Sequence, residues 1–477
     1  MAFRFHDTLT GATRDFEPRE PGVVRMYNCG PTVYSSPQIG NYRAWTFVDV
    51  LRRSLELGGY DVRQVMNLTD VGHLTLDEIE SGEDKLEAAS RIEGKTAWEI
   101  AQHYIDEFFE AVARLNFARA DEYPRATDHI PEMIEIVEGL IASGHAYVTD
   151  AGNVYYDVSS FPAYGHLSKN KLEDLDAGAR VGVLDEKRHP SDFALWKRDE
   201  EHQMQWDSPW GRGFPGWHIE CSAMSRKYLG DELDIHTGGE DNVFPHHECE
   251  IAQSEGFTGK TFVRFWLHNR HLLVDGRKMS KSGGTAYSFE DVMERGYSAR
   301  ALRYLLLQTH YRLPMNFTWQ ALDAATSAVA SLDVAVRRMV EDATAAGDAA
   351  LSATCDRLDA VFLAALEDDL NVSAALASVH ELKSLANKHG PFSAGDAARV
   401  RATWDRFDSV LGLDLLATAA AEPETHADDA EIQALVNART AARVARDWGR
   451  ADELRDELAA RGIKLEDGAD GVRWSRA

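Results

Sequence analysis

Cysteine is scarce in this chain, at four residues in 477, which excludes a disulfide scaffold. Long apolar runs are missing too. No stretch reaches about 18 consecutive apolar residues, so no segment reads as a membrane-spanning helix. Met1-Ala2-Phe3-Arg4-Phe5-His6-Asp7 lacks the apolar core of a secretory signal. Together these absences predict a cytoplasmic protein. Positive charge is also short: 51 Lys and Arg stand against 78 Asp and Glu, a formal net charge of −27. A nucleic-acid binder usually carries a basic footprint, so the overall balance argues against RNA. It fits a protein with no polyanion partner, or one from a salt-rich cytoplasm whose solvated acidic surface maintains solubility. Only 13 of the basic residues are lysines, which fits the second reading and also a bias in genome composition.

Apolar material is not lacking. Hydrophobic residues make up 44% and charged residues 27%, enough for large packed cores. The length argues for about three or four domains, and no internal repeat is present. Val23-Val24-Arg25-Met26-Tyr27 reads as a strand. A loop with Gly and Pro follows, then helical periodicity from Tyr42 to Leu57, then a second strand near Val62–Met66. Strand, helix and strand in that order make a βαβ unit and imply a parallel sheet. The segment from about 118 to 200 holds Pro124, Pro131, Pro162 and Pro190, with a helix near Ile130–Ala142, and reads as an insertion. Strand and helix alternation resumes around Trp217–Ala252. From Asp323 to Leu415 alanine rises, and Leu358, Val361, Phe362 and Leu366 recur at helical spacing, as in a helical bundle. Leu416–Asp429 reads as a linker. The last residues predict a helix, a second helix after Trp448, and a β-like tail around Ile463–Trp474.

Two strings carry chemistry. The first βα loop runs Cys29-Gly30-Pro31-Thr32-Val33-Tyr34-Ser35-Ser36-Pro37-Gln38-Ile39-Gly40-Asn41. A loop feeding a helix N-terminus is a ready phosphate site, because free N–H groups and the helix dipole point at the anion. Gly40 would let the backbone approach a nucleotide closely. An ordinary βα turn has the same composition. The second string is Lys278-Met279-Ser280-Lys281-Ser282-Gly283-Gly284. It is a loop able to put two cations on a polyphosphate, or else a solvated basic turn.

Together these strings resemble the H-I-G-H and K-M-S-K-S signatures of class I aminoacyl-tRNA synthetases. Cys29 to Tyr34, Gly216-Trp217-His218-Ile219-Glu220-Cys221-Ser222 and Phe244-Pro245-His246-His247-Glu248-Cys249-Glu250 further resemble the cysteinyl-tRNA synthetase family. So does the ending Asp447-Trp448 to Gly462-Ile463-Lys464-Leu465-Glu466-Asp467, and the resemblance spans nearly the whole chain. It implies an α/β fold: a Rossmann-like parallel-sheet catalytic domain with an insertion, then a helical bundle and a small C-terminal α/β anticodon-binding unit. The expected boundaries are 1–117 and 206–260 for the catalytic halves and 118–205 for the connective insertion. Residues 261–322 form a stem-contact region with the lysine loop, 323–415 the bundle, 416–430 the linker and 431–477 the anticodon unit.

The resemblance also implies the chemistry. The expected substrates are L-cysteine, ATP and tRNA(Cys), with Zn2+ in the protein, Mg2+ arriving on ATP, and a monomeric enzyme. Cys29, Cys221, His246 and Glu250 are the expected zinc ligands, a donor set in which soft thiolates suit that metal. Cys29 and Cys221 are expected at strand ends, and His246 and Glu250, four apart, on one helix face. His247, Glu248 and Cys249 read as neighbours, and Cys355 as a small buried apolar residue. Zinc would tell cysteine from serine by sulfur against oxygen, where a shape-matched pocket gains only about 1–3 kcal/mol.

Gln38, Asn41, Lys278 and Lys281 are the expected catalytic residues. Gly40, Asp241 and Lys281 would bind ATP; Thr32, Trp217 and His236 would bind the amino acid. Arg443, Arg446, Trp448, Asp452 and Asp467 would read the anticodon, unless Trp448 is the core of a small helical cap. Lys187 to Lys197 mixes cations with aromatics and suits either RNA contact or a solvated turn. Gln38 departs from the family, which usually has His there; Gln can donate a hydrogen bond but cannot be cationic. Three other readings remain. A ligase joining cysteine to an amino-sugar would need no C-terminal units. A non-enzymatic RNA-binding relative would not need the intact lysine string. A nucleotidyltransferase would not need zinc beside its first loop.

Overall fold

The computed structural model describes residues 1–72, 74–76, 81–171, 186–279, 283–341, 348–388, 392–420, 429–468 and 471–476. The chain packs as two units, Met1–Ala419 and Ala420–Ala477. The first is organised by a parallel sheet. Its elements in chain order are β1 (Val23–Asn28), α1 (Ile39–Leu57), β2 (Asp61–Met66), α2 (Trp217–Leu229), β3 (Leu233–Gly239), α3 (Glu248–Thr258) and β4 (Val263–Asn269).

The strand order is β4-β3-β1-β2, every pair parallel. β1 and β3 are largely buried along both faces, as central strands covered on both sides are, although they carry the polar Asn28, Asp234 and His236. From β1 the chain winds outward to β2, and from β3 it winds the other way to β4. The order therefore reverses between β1 and β3, and a crevice opens at their carboxyl ends. Buried Asn28 straps that end of the sheet. Its Nδ2 donates to Thr237 Oγ1 at 2.8 Å, and its Oδ1 accepts from Gln64 Nε2 at 2.8 Å.

Between β2 and α2 lie the helices Lys85–Glu93, Ala97–Arg114 and Ile130–Ala142 and a four-stranded antiparallel sheet. That sheet includes Gly213–Pro215, paired in register with Phe193–Arg198. This strand lies past residue 205, where the second catalytic half was expected to begin, and leads directly into α2. After β4, Leu272–Val274 pairs with Arg277–Lys278 and with Met315–Phe317, and this small sheet carries Lys278.

Four long helices follow: Trp319–Glu341, Ala349–Glu367, Val372–Lys388 and Ala394–Leu411. Cys355, Leu358, Phe362 and Leu366 share one fully buried face at i, i+3, i+7 and i+11. Val361, expected among them, is 45% exposed because it falls off that stripe. Leu415–Ala420 is a short helix where composition predicted only linker, and residues 421–428 lie outside the described set. The second unit is two helices, Asp429–Val444 and Trp448–Ala460, and a hairpin of Ile463–Gly468 with Gly471–Arg476. Ile432, Val436, Leu458 and Ile463 form its core.

A buried ion pair ties α1 to the bundle. Arg303 is fully buried, and its guanidinium meets the Asp49 carboxylate and donates to the carbonyls of Leu411 at 2.5 Å and Leu115 at 2.9 Å. Asp49 also accepts from Ala118 N at 2.7 Å. Removing one partner strands a buried charge, so Asp49→Ala should lose about 3–5 kcal/mol. Chemical denaturation of the purified variant checks this, and a loss below about 1 kcal/mol would mean that water or a neighbour readily replaces the carboxylate.

Candidate active site and metal cluster

A cavity of about 440 Å³ fills the crevice. The Cys29–Gln38 loop and the start of α1 form one wall; Gly238 to Asn242, at the end of β3, forms another. Trp217, His246, Asn269, His271, Lys278 and Met279 also line it. The β1–α1 loop is held tightly. A Cβ on Gly30 would lie 1.8 Å from Asn67 O, so only glycine fits there. At the helix start, Asn41 Oδ1 accepts from Gln38 N at 2.9 Å, and Ile39 N donates to Tyr287 O at 2.9 Å. Asn41 is thus a cap that sets the loop's entry into α1. Beside Gly40 the space for a side chain is taken by Met279, whose Cε would lie 2.5 Å from a Cβ there. The glycine thus brings the lysine-bearing string against the helix start.

Each expected site residue has a definite place. Gln38, Gly40, Asn41, Thr32, Trp217, Asp241 and Lys278 all line the cavity with Cys29 and His246. Lys278 Nζ stands 3.7 Å from Asp241 Oδ1. Lys281 lies outside the described residues, as do Ser280 and Ser282. His236 is fully buried and outside the cavity lining. Its Nε2 stands 2.9 Å from Glu250 Oε2, and its ring stacks on Trp266, so it backs Glu250. Cys221 lies inside helix α2, not at a strand end as its sequence context suggested.

The donor groups converge below Trp217, whose ring stacks on His246 with centroids 4.5 Å apart. Ligand atoms of Cys29, His246, His247 and Glu250 all lie within 4.8 Å of one another. The expected ligand Cys221 is not among these four residues; its thiol hydrogen-bonds to Cys29 and to His246. His246 Nε2 is 3.0 Å from Glu250 Oε1 across one helical turn. His247, which its position between ligands marked as a neighbour, joins the group directly: Nε2 is 3.2 Å from Cys29 Sγ and Nδ1 is 2.8 Å from His268 Nε2. His218 Nδ1 lies 2.9 Å from His246 Nδ1. In the sequence, the paired histidines in Pro245-His246-His247-Glu248 and His218 in the Gly216–Ser222 string point to these residues, and His268 lies outside every quoted string. Cys249 is buried against Tyr164, and Cys355 is buried in the separate bundle core, so neither belongs to the cluster.

Electrostatics fits a metal-binding set holding its protons. Burial opposes the Glu250 charge, but His236 and His246 beside it hold its carboxyl down at about 2. Burial likewise opposes a charged His246, but the Glu250 charge and the Cys221 hydrogen bond push it up to about 10. The Cys29 hydrogen bond and burial push the Cys221 thiol well above its ordinary range. Burial drives His247 well below the usual imidazole value and His268 down to about 3. The donors suit zinc: soft sulfur, imidazole and one carboxylate, with His236 orienting that carboxylate. Loading the metal would expel the thiol and His246 protons.

In the second unit Trp448 is 60% exposed at the start of its helix, so it is not the core of a cap. Arg443 is in the last turn of the preceding helix, Arg446 at the bend between the two helices, and Asp452 pairs with Arg455 at 2.9 Å. Asp467 is on the hairpin, its side chain outside the described set. In the insertion, Arg188 covers the Tyr147 ring at 4.0 Å, and Lys187 and Lys197 cover Tyr155 at 5.3 and 5.2 Å. These cations are built onto their own sheet.

Comparison with known proteins agrees with this geometry. Residues 15–327 match the family described as tRNA synthetases class I (C) catalytic domain, 361–416 the DALR domain and 425–474 the cysteinyl-tRNA ligase anticodon binding domain. The cysteine–tRNA ligase of Treponema denticola is 42% identical over 500 residues and covers 100% of both chains; that of Thermus thermophilus is 44% identical over 480 residues and covers 99% of both. Among solved structures, Mycobacterium tuberculosis methionyl-tRNA synthetase with methionyl-adenylate superposes with TM-score 0.57 at 15% identity, over 83% of this chain and 91% of that one. The Agrobacterium radiobacter LeuRS–tRNA–LeuAMS complex superposes with TM-score 0.60 at 13% identity, over 86% of each. These two share the fold.

Metal analysis of purified protein should find about one zinc per chain. Cys221→Ser should lower that content, because a thiolate is lost, while His247→Ala should largely keep it. Loss of zinc in His247→Ala with full zinc in Cys221→Ser would make His247 the fourth ligand.

Proposed function

The chain belongs to the cysteine–tRNA ligase family of class I tRNA synthetases, and from that premise we propose that its cavity activates L-cysteine with ATP and hands it to tRNA(Cys). The observation that carries this reading is the shared cavity, where a buried Cys/His/Glu cluster opens onto the helix start and lysine string suited to a nucleotide. In the first step a cysteine carboxylate oxygen attacks the α-phosphorus of ATP. The bond to the β-phosphate oxygen breaks, leaving cysteinyl-adenylate and pyrophosphate. A ribose hydroxyl of the terminal tRNA adenosine then attacks the acyl carbon, and AMP leaves.

Phosphoryl transfer needs mainly positioning and charge stabilisation. Lys278 and Lys281 stabilise the pyrophosphate as its charge develops, with Mg2+ carried in on ATP. Gln38 donates to a phosphate, Asn41 fixes the helix start that faces it, and Gly40 gives close approach. Asp241 takes the ribose hydroxyls. Thr32 and Trp217 wall the amino-acid pocket, and His236 acts on it through Glu250. Cys29, Cys221, His246 and Glu250 would hold zinc, which supplies a soft position that sulfur fills well and an alcohol oxygen poorly.

Residues 431–477 read the anticodon. There Arg443, Arg446 and exposed Trp448 offer cations and a stacking platform, and Asp452 and Asp467 accept from base amino groups. A chain at −27 binds tRNA through such local contacts and not through its net field. It works as a monomer in the cytoplasm, and no described helix is long and apolar enough to cross a membrane. Cysteine-dependent ATP–pyrophosphate exchange followed by charging of a tRNA mixture tests the whole reading; exchange driven by another amino acid would overturn it.

Gln38→His should change the activation rate by no more than about tenfold, or 1.4 kcal/mol, because Gln already donates a hydrogen bond there. Gln38→Ala should cost more, and full activity in that variant would mean the position carries no chemistry. Trp448→Ala should raise the tRNA Michaelis constant or lower charging, by the equivalent of about 1–3 kcal/mol for one stacked base. It should leave pyrophosphate exchange alone, and a parallel fall in both activities would remove Trp448 from anticodon recognition.

A further inference from the structure

The end of β3 places two carboxylates on successive residues, Glu240 and Asp241, at the rim of the cavity. Their treatment differs. Glu240 is tied down: Oε1 accepts from His271 N at 2.6 Å, and Oε2 accepts from Arg270 Nη1 at 2.5 Å. Asp241 projects into the open. Among the described residues, side-chain contacts alone hold its carboxylate, with His271 Nδ1 3.4 Å from Oδ2 and Lys278 Nζ 3.7 Å from Oδ1. The same His271 nitrogen is 3.3 Å from Glu240 Oε1. One imidazole thus stands between two neighbouring carboxylates that would otherwise repel each other. Its own position is set by the backbone bond to Glu240 and by Leu272–Val274, the strand that begins at the next residue.

The two partners of Asp241 are not equivalent. Lys278 is on the string that must serve the phosphates, and it cannot serve them while it neutralises Asp241. His271 is on the rigid segment after β4 and has no such second task. When Lys278 leaves, Oδ1 is free for a ribose hydroxyl and Oδ2 stays on the imidazole.

We propose that His271 is a positioning residue for the nucleotide ribose, holding the Asp241 carboxylate toward the 2′,3′-diol through the chain Arg270–Glu240–His271–Asp241. The proposal rests on the reading that Asp241 binds the ribose. The test is calorimetric binding of ATP and of 2′,3′-dideoxy-ATP, which lacks both hydroxyls, to the full-length protein and its variants. His271→Ala should weaken ATP binding about tenfold, the scale of one charge-assisted contact, and leave dideoxy-ATP binding unchanged. His271→Asn, whose amide can donate from a similar place, should recover most of the loss. Equal weakening for both nucleotides would show a merely structural histidine and overturn the proposal, as would unchanged ATP binding. Asp241→Ala should abolish the preference for ATP over dideoxy-ATP, and a preference that survives would overturn the Asp241 role and the proposal with it. Diol-selective binding without cysteine-dependent exchange would leave the ribose site standing and strike the ligase reading alone.

Discussion

A carboxylate sealed from water stays ionised only where hydrogen-bond donors or cations face it. Glu250 has none of its surface exposed, and it meets that condition through His236 at one oxygen and His246 at the other. The pairing draws together segments far apart in sequence. His236 comes from β3, His246 from the turn before α3, and Cys29 and Cys221 approach from the end of β1 and from α2. If any of these elements shifted, a buried charge would lose its partner, which is a strong reason for the crevice to hold one shape. The buried chain His247–His268–Thr8 continues the same network away from the cavity and needs no water to satisfy its ring nitrogens.

Above that buried floor the site changes character. Gln38, Asn41, Asp241 and Lys278 are more open, and their contacts are ion pairs and caps that can be exchanged for ligand contacts. The division suits a binding reaction. In the proposed reaction the buried groups would select the amino acid, and the more open rim groups would follow charge through the phosphoryl transfer. Met279 against Gly40 joins the two regions, because the string with Lys278 packs on the start of α1.

The net charge of −27 gives no hint of an RNA partner, and composition alone pointed away from one. The second unit shows why composition misleads here. Its apolar residues Ile432, Val436, Leu458 and Ile463 close a small core without Trp448, which leaves the indole and nearby arginines on the surface. Recognition through stacking and a few local cations tolerates an acidic chain, because such contacts act over a few ångströms while the net field is screened by salt.

Local patterning by itself determined the regular elements near the site. Strand β1, helix α1, strand β2, the helix Ile130–Ala142 and the two C-terminal helices follow from periodicities and caps within each segment, and so does the parallel sense of β1 and β2. The chemical strings also marked the cavity, since loops around a nucleotide are contiguous in sequence. Tertiary structure decided what depends on separate segments meeting. Cys221 read as a strand-end residue because Gly216 to Ser222 is too short to show a helical period; only packing against α3 and the insertion shows that it is on a helix. The closeness of His247 to Cys29 was not legible in sequence, because its ring nitrogens are placed by Cys29 and His268, each distant in the chain. The insertion's last strand, the backing role of His236 and the place of His271 between two carboxylates belong to the same class. Each is a pairing across the fold, and no local pattern encodes the partner.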